Sequence, residues 1–221
     1  TLFESLNNRG MQLTAIELIK NKLLARLETT EPGKVDHYFD VWNKLLGYLG
    51  DDYSVQERFF RHYYNAFKDP LNVPFRKDDD KRKDPLGPVA TRSNLIQIYE
   101  KLINQDAKHH LQAIRSAGQL YALMLARNTD EAWAPLDKPL KDLDRIQGAP
   151  SYLLMLYLLV RREALGIDVA QLEEIARLLV CFFVRRNLTD TPPTRDLTRL
   201  FMATNAKVPA LSGTAVANAI R

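Results

Sequence analysis

The sequence predicts an all-α protein, an irregular bundle of roughly nine or ten helices. Three observations point there. Apolar residues recur at helical spacing through most of the 221 residues. Helix-start signatures stand ahead of those runs. Strand-like alternation is confined to a stub at Leu2-Phe3.

The first helix opens at Leu13-Thr14-Ala15-Ile16-Glu17, where Thr14 and Glu17 have the spacing of a reciprocal capping box. Ile16, Ile19, Leu23 and Leu27 follow as one apolar stripe. Lys34 to Leu49 repeats the pattern with Tyr38, Val41, Leu45 and Leu49. Ser54-Val55-Gln56-Glu57 has the form of a second capping box. It leads an aromatic helix with Phe59, Phe60, Tyr63, Tyr64 and Phe67. Between 68 and 90 the pattern breaks: Pro70, Pro74, Pro85 and Pro88 surround the charged run Arg76 to Asp84. This Pro- and charge-rich segment is a loop and marks the one candidate subdomain boundary. Helices resume at Ser93 to Asn104 and Asp106 to Arg127, then from about Pro135 to Gln147, ended by Gly148 and Pro150. Ser151 to Ala164 is apolar nearly all round, which predicts a central buried helix. Asp168 caps the next, running to about Asn187. Pro192-Pro193-Thr194 starts another, ending near Asn205. Thr214 to Arg221 has the pattern of a helix cut in mid-turn. With Thr1 in place of Met, this gives the expectation of a piece of a longer protein.

Composition bounds the function. Apolar residues make up 46% and charged residues 26%, the balance of a folded domain and not of a disordered one. The net charge of +4 permits a nucleic-acid partner without requiring one. The single cysteine, Cys181, excludes a disulfide within the chain and a Cys-based zinc site. It lies in an apolar run, so a buried core position is expected, and a reducing cytoplasmic compartment fits. The longest apolar stretch, Tyr152 to Val160, stops at Arg161-Arg162, far short of the roughly 20 residues of a membrane span.

Catalytic signatures are sparse. His37, His62, His109 and His110 lack the i, i+4 spacing of a helical zinc site. They are expected to be surface or packing residues. No glycine-rich phosphate loop and no nucleophile elbow is present. The acidic pairs Asp51-Asp52 and Glu173-Glu174 suit helix starts. Two doublets, Arg161-Arg162 and Arg185-Arg186, each close a long apolar helix. Structurally they complement helix C-termini, an effect of roughly 0.3–1 kcal/mol. Functionally they would contact phosphates if both helices ended on one face. The short Gly166-Ile167 link favours an antiparallel pair, which would set the doublets at opposite ends.

The most specific stretch is Phe3-Glu4-Ser5-Leu6-Asn7-Asn8-Arg9-Gly10-Met11-Gln12-Leu13-Thr14-Ala15-Ile16-Glu17-Leu18-Ile19-Lys20-Asn21. Physically it is a sharp turn leading into a capped helix, with Arg9 a fixed cation beside the turn. It resembles the pattern F-x-x-L-N-x-R-G-x-x-L-[ST]-x-x-[DE]-L-[IL]-K-N of the GmrSD-like restriction proteins, the domain of unknown function 262 family. The resemblance implies that residues 1–13 are the end of an upstream ParB/sulfiredoxin-like module and that 14–221 form the helical domain behind it. It also implies a parent that cleaves modified DNA in phage defence with a nucleoside triphosphate and a divalent metal. The D-G-Q-Q-R motif of that module and the HNH nuclease constellation are both missing from this sequence. The expected role is therefore a connecting or scaffold domain with no catalytic residues, metal or cofactor of its own. It would contact DNA, neighbouring domains or a second subunit, and no membrane. Asn7 and Arg9 carry over as the edge of a nucleotide or DNA site. The alternative is a protein-interaction scaffold, with the aromatic helix at Phe59 to Phe67 lining an exposed apolar groove.

Overall fold

In the computed structural model, residues 13–71, 89–127 and 130–220 are described, apart from the side chains of 69 and 70. Among them are nine α-helices and no strand. In chain order they are α1 (Ala15–Thr30), α2 (Val35–Leu49), α3 (Tyr53–Leu71), α4 (Leu95–Met124), α5 (Ala134–Arg145), α6 (Tyr152–Leu165), α7 (Val169–Thr189), α8 (Thr194–Lys207) and α9 (Thr214–Ile220). The Leu2-Phe3 stub, most of the 68–90 loop and Arg221 lie outside the described residues.

The caps expected at α1 and α7 form. Thr14 Oγ1 accepts from Glu17 N–H at 3.3 Å, and Glu17 Oε2 accepts from Thr14 N–H at 2.8 Å. Asp168 and Gln171 do the same for α7. The box expected at Ser54 does not form. Helix α3 starts one residue before Ser54, and Asp52 takes the capping role by accepting from Ser54 N–H at 2.8 Å and Ser54 Oγ at 2.7 Å. Glu57 is thereby released for a different task, described below.

The two helices expected either side of residue 105 both form and meet at a kink inside α4. Asp106 leaves helical geometry at φ −156°, ψ 88° inside α4, and its carboxylate accepts from His109 N–H to restart the helix. An Asp N-cap placed inside a helix gives this outcome when the flanking turns stay stacked.

Helices α1 and α2 pack on α4. Helix α1 runs parallel to the first part of α4, joined by Lys22–Glu100 at 2.8 Å and Glu31–Lys108 at 2.7 Å. On the other side α5 packs with α7, and α6 with α8. Helix α3 stands between these groups and touches α4, α6 and α8. Its rings therefore meet partners on both flanks. Phe60 contacts Trp42 of α2 and Tyr99 of α4, Phe59 contacts Tyr121 of α4, and Phe67 contacts Tyr157 of α6, with centroids 5.0–5.6 Å apart. One contiguous apolar core includes residues from before and after the 68–90 loop. The aromatic face of α3 is buried in that core. This corrects the expectation that it lines an exposed groove: five rings on one helix bury too much apolar area to be left in water. Tyr152 to Leu159 of α6 are all buried, as the all-round apolar pattern requires.

Cys181 is exposed, against expectation. The buried stripe of α7 is Leu172, Ile175, Ala176, Leu179 and Phe183. Two residues beyond Leu179, Cys181 is turned about 200° away from it.

Gly118 lets α4 approach α2: a Cβ there would run into the Leu45 side chain. Gly47 is helical and exposed, with nothing within 4 Å of its Cβ position. Gly118→Val should therefore lower unfolding stability by about 1–3 kcal/mol. Gly47→Ala should raise it by about 0.5–1 kcal/mol. Urea denaturation of the two variants beside the parent chain checks both signs.

Candidate functional site

Asn7 and Arg9 lie outside the described residues. The four arginines of the two doublets are described. Three contacts fix the direction of the helices that carry them. Asn187 Nδ2 donates to the Ile146 carbonyl at 3.0 Å, so α7 ends where α5 ends. Tyr152 Oη donates to Asp144 Oδ1 at 3.0 Å, so α6 begins at that same end. The Arg162 guanidinium lies 5.0 Å from the Trp133 ring centroid, so α6 finishes where α5 starts. Helix α6 is thus antiparallel to α5 and α7, and the doublets stand at opposite ends. They do not form one patch.

Their individual surroundings differ as well. Arg161 rims an apolar recess of about 380 Å³ whose wall includes Tyr63, Phe67, Leu120 and Val160. Burial pushes the Tyr63 hydroxyl up to about 12, with the Arg161 charge partly opposing it. Arg162 lies on Trp133 and pairs with Glu163 at 3.3 Å. Arg186 is consumed by the chain itself. Its Nε donates to the Pro192 carbonyl at 3.2 Å, and its other nitrogens reach Asn187, Asp190 and Thr194. This ties the end of α7 to the start of α8. Arg185 is exposed beside it.

The polar chemistry that the sequence did not announce lies under α3. Glu57 is only 4% exposed, and its Oε1 lies 3.1 Å from the Nε atoms of both Arg61 and Arg92. Arg92 is in hydrogen-bond geometry, whereas Arg61 is close but off the hydrogen-bond line. Arg92 belongs to the segment returning from the 68–90 loop. So does Ala90, whose N–H donates to the buried Asn65 Oδ1 at 2.8 Å. These contacts staple the return segment to α3. Removing Glu57 would leave the half-buried Arg61 without its carboxylate and release the exposed Arg92 from α3.

One turn further along, His62 Nδ1 sits 2.9 Å from Tyr121 Oη. The Arg58 guanidinium lies 5.8 Å from the Tyr152 ring centroid, and its charge bears on Tyr121. Burial, together with the Arg58 and Arg61 charges, brings His62 down to about 3. It stays neutral and serves packing. The Tyr121 and Tyr152 hydroxyls are both driven up by burial, so neither is ready to ionise. Among the described residues no group of three or more His, Cys, Asp or Glu is placed to hold a metal.

Outward from this cluster lies a recess of about 340 Å³ between α3, the end of α4 and the end of α5. Arg58, Arg127, Lys141 and Arg145 line it against a single carboxylate, Asp144. The Arg127 guanidinium packs over Gly50, where any Cβ would collide with it. Gly50 has φ +79°, so both its conformation and its missing side chain suit the position. Charge clustering of this kind was hidden from the sequence, because the four cations come from three segments far apart in the chain.

Compared with family models, curated proteins and solved structures, the chain matches none.

The His62 environment generates a pH prediction. Its folded pKa lies below the unfolded value, so acid favours the unfolded chain. The stability it contributes is present above about 6.5 and is lost as pH falls toward about 3. Between pH 7 and pH 4 the parent chain should lose roughly 3 kcal/mol more than His62→Gln. Urea unfolding at the two pH values gives this difference directly, and parallel losses would show that His62 is not the buried neutral base.

Proposed function

We propose that this chain is the helical connecting domain of a modification-dependent DNA restriction protein that acts in phage defence in the cytoplasm. The segment Phe3 to Asn21 supports the family, and the docking of α1 supports the role. The capping box fixes the first turn of α1 directly behind that motif. Ile16, Ile19, Leu23 and Leu27 are all buried, and the two ion pairs hold α1 along α4. A movement of the segment before Thr14 would thus be passed to the bundle as a rigid displacement, because packed interiors transmit strain. On this reading the nucleoside triphosphate, the divalent metal and the cleavage chemistry belong to other modules of the parent. Asn7 and Arg9 would complete a nucleotide or DNA site there. Direct contact with duplex DNA would fall to the exposed Arg161 and Arg185, with Arg162 and Arg186 held by intramolecular partners.

A second reading, a protein-interaction scaffold without nucleic-acid contact, draws support from one surface. Val184 is 45% and Leu188 83% exposed on α7, in line with the exposed Cys181. Such a stripe suits a partner subunit.

Insertion of a flexible Gly-Ser segment between Leu13 and Thr14 of the intact protein tests the connector role. Cleavage of modified DNA should fall on the order of tenfold to a hundredfold, with the bundle still folded. Unchanged cleavage would refute the connector. Gel shifts at low salt separate the two readings. Retardation of duplex DNA weakened by Arg185→Glu supports DNA contact. No retardation, together with loss of self-association in Leu188→Glu, supports the scaffold.

A further inference from the structure

We infer that the recess between α3, the end of α4 and the end of α5 is a binding site for a small phosphorylated anion of the diphosphate type. Four cationic side chains converge there on one carboxylate, a surplus of three charges. Asp144 is already engaged, accepting the Tyr152 hydroxyl at 3.0 Å. Asp142 draws on Arg145 from outside the lining, at 3.3 Å. No other acidic side chain lines the recess. Like charges gathered in a concave site repel one another and focus a positive potential, which favours an anionic occupant.

Helix polarity accounts for part of the arrangement. Arg145 is in the last turn of α5, and Arg127 follows the end of α4, where cations are stabilised by the helix dipole. It does not account for Arg58, which comes from the opening turns of α3. The Arg58 Nε is buried without a hydrogen-bond partner. Its guanidinium stands over the Tyr152 ring, 5.8 Å from the centroid, and lines the recess. Arg127 is likewise positioned, by the space that Gly50 leaves open. Guanidinium groups suit phosphate oxygens, because their planar fork of N–H donors matches phosphate geometry.

Size and charge select the ligand. A volume of about 340 Å³ lies at the small end of ligand sites and is too small to enclose a duplex. Each phosphate group brings about −1.5 to −2 charges near neutral pH, so two balance the surplus. Met124 adds an apolar wall, room for a small organic group attached to the phosphates. The recess would hold its anion whether or not the chain serves as a connector.

The test is calorimetric titration of the chain with inorganic pyrophosphate at low ionic strength, without added metal. Saturable one-to-one binding is expected, weakened about tenfold in Lys141→Glu and in Arg145→Glu. Both positions are exposed, so folding should survive. Arg26→Glu on α1 makes the same change of net charge at an exposed position outside the recess and should leave the affinity unchanged. Absence of saturable binding would overturn the assignment. So would equal weakening in all three variants, which reports general charge attraction. A short duplex binding through Lys141 and Arg145 while pyrophosphate does not would assign the recess to a nucleic-acid backbone and refute the small-anion site.

Discussion

The constraint on which the rest of this molecule depends is the burial of the aromatic face of α3. Phe59, Phe60, Tyr63, Tyr64 and Phe67 cannot be covered by one neighbouring helix, since they occupy successive turns and more than one side of α3. The fold surrounds them. Trp42, Tyr99 and Tyr121 close the flank formed by α2 and α4, and Tyr157 closes the flank formed by α6. Several polar groups near this column are drawn into partnerships. His62 is neutral against Tyr121, Glu57 is paired with arginines, and Asn65 is satisfied by the Ala90 N–H. Leaving any of these groups unpaired would cost more than a typical hydrogen bond contributes.

The same packing places charge. Because α6 runs antiparallel to α5 and α7, the doublets at Arg161 and Arg185 are sent to opposite ends. The end that receives the finish of α5 also receives the finish of α4 and the start of α3. Cations that each suit their own helix terminus accumulate there beside Arg58. The basic recess is thus a product of topology, and a connector built this way would carry an anion site close to its central column.

The helices themselves were legible in the sequence because a stripe such as Ile16, Ile19, Leu23 and Leu27 is a local signal that tertiary packing only confirms. Tyr152 to Leu159 announced its central position in the same way. What failed depended on competition or on distance. Ser54 had the residue spacing of a cap, but Asp52, two residues earlier, takes both the Ser54 N–H and its hydroxyl, so the helix starts before Ser54. Cys181 sat in an apolar run whose buried side was decided by register, not by composition. The aromatic helix looked like a groove lining because its length of chain is silent about how many neighbours enclose it. The recess was invisible for a related reason: residues 58, 127, 141 and 145 share no pattern until the helix ends meet.

The chain offers a natural probe on each side of the column. Trp42 lies under the rings of α3, and Trp133 stands before α5 against Arg162. In Trp133→Phe and Trp42→Phe variants, each remaining tryptophan reports one side. Urea unfolding followed by that fluorescence should coincide, within each variant, with unfolding followed by far-ultraviolet circular dichroism. Coincidence is what a single core joined through α3 predicts. A fluorescence transition separated from the dichroism by a plateau would contradict it, because the two helix groups would then unfold as independent bodies.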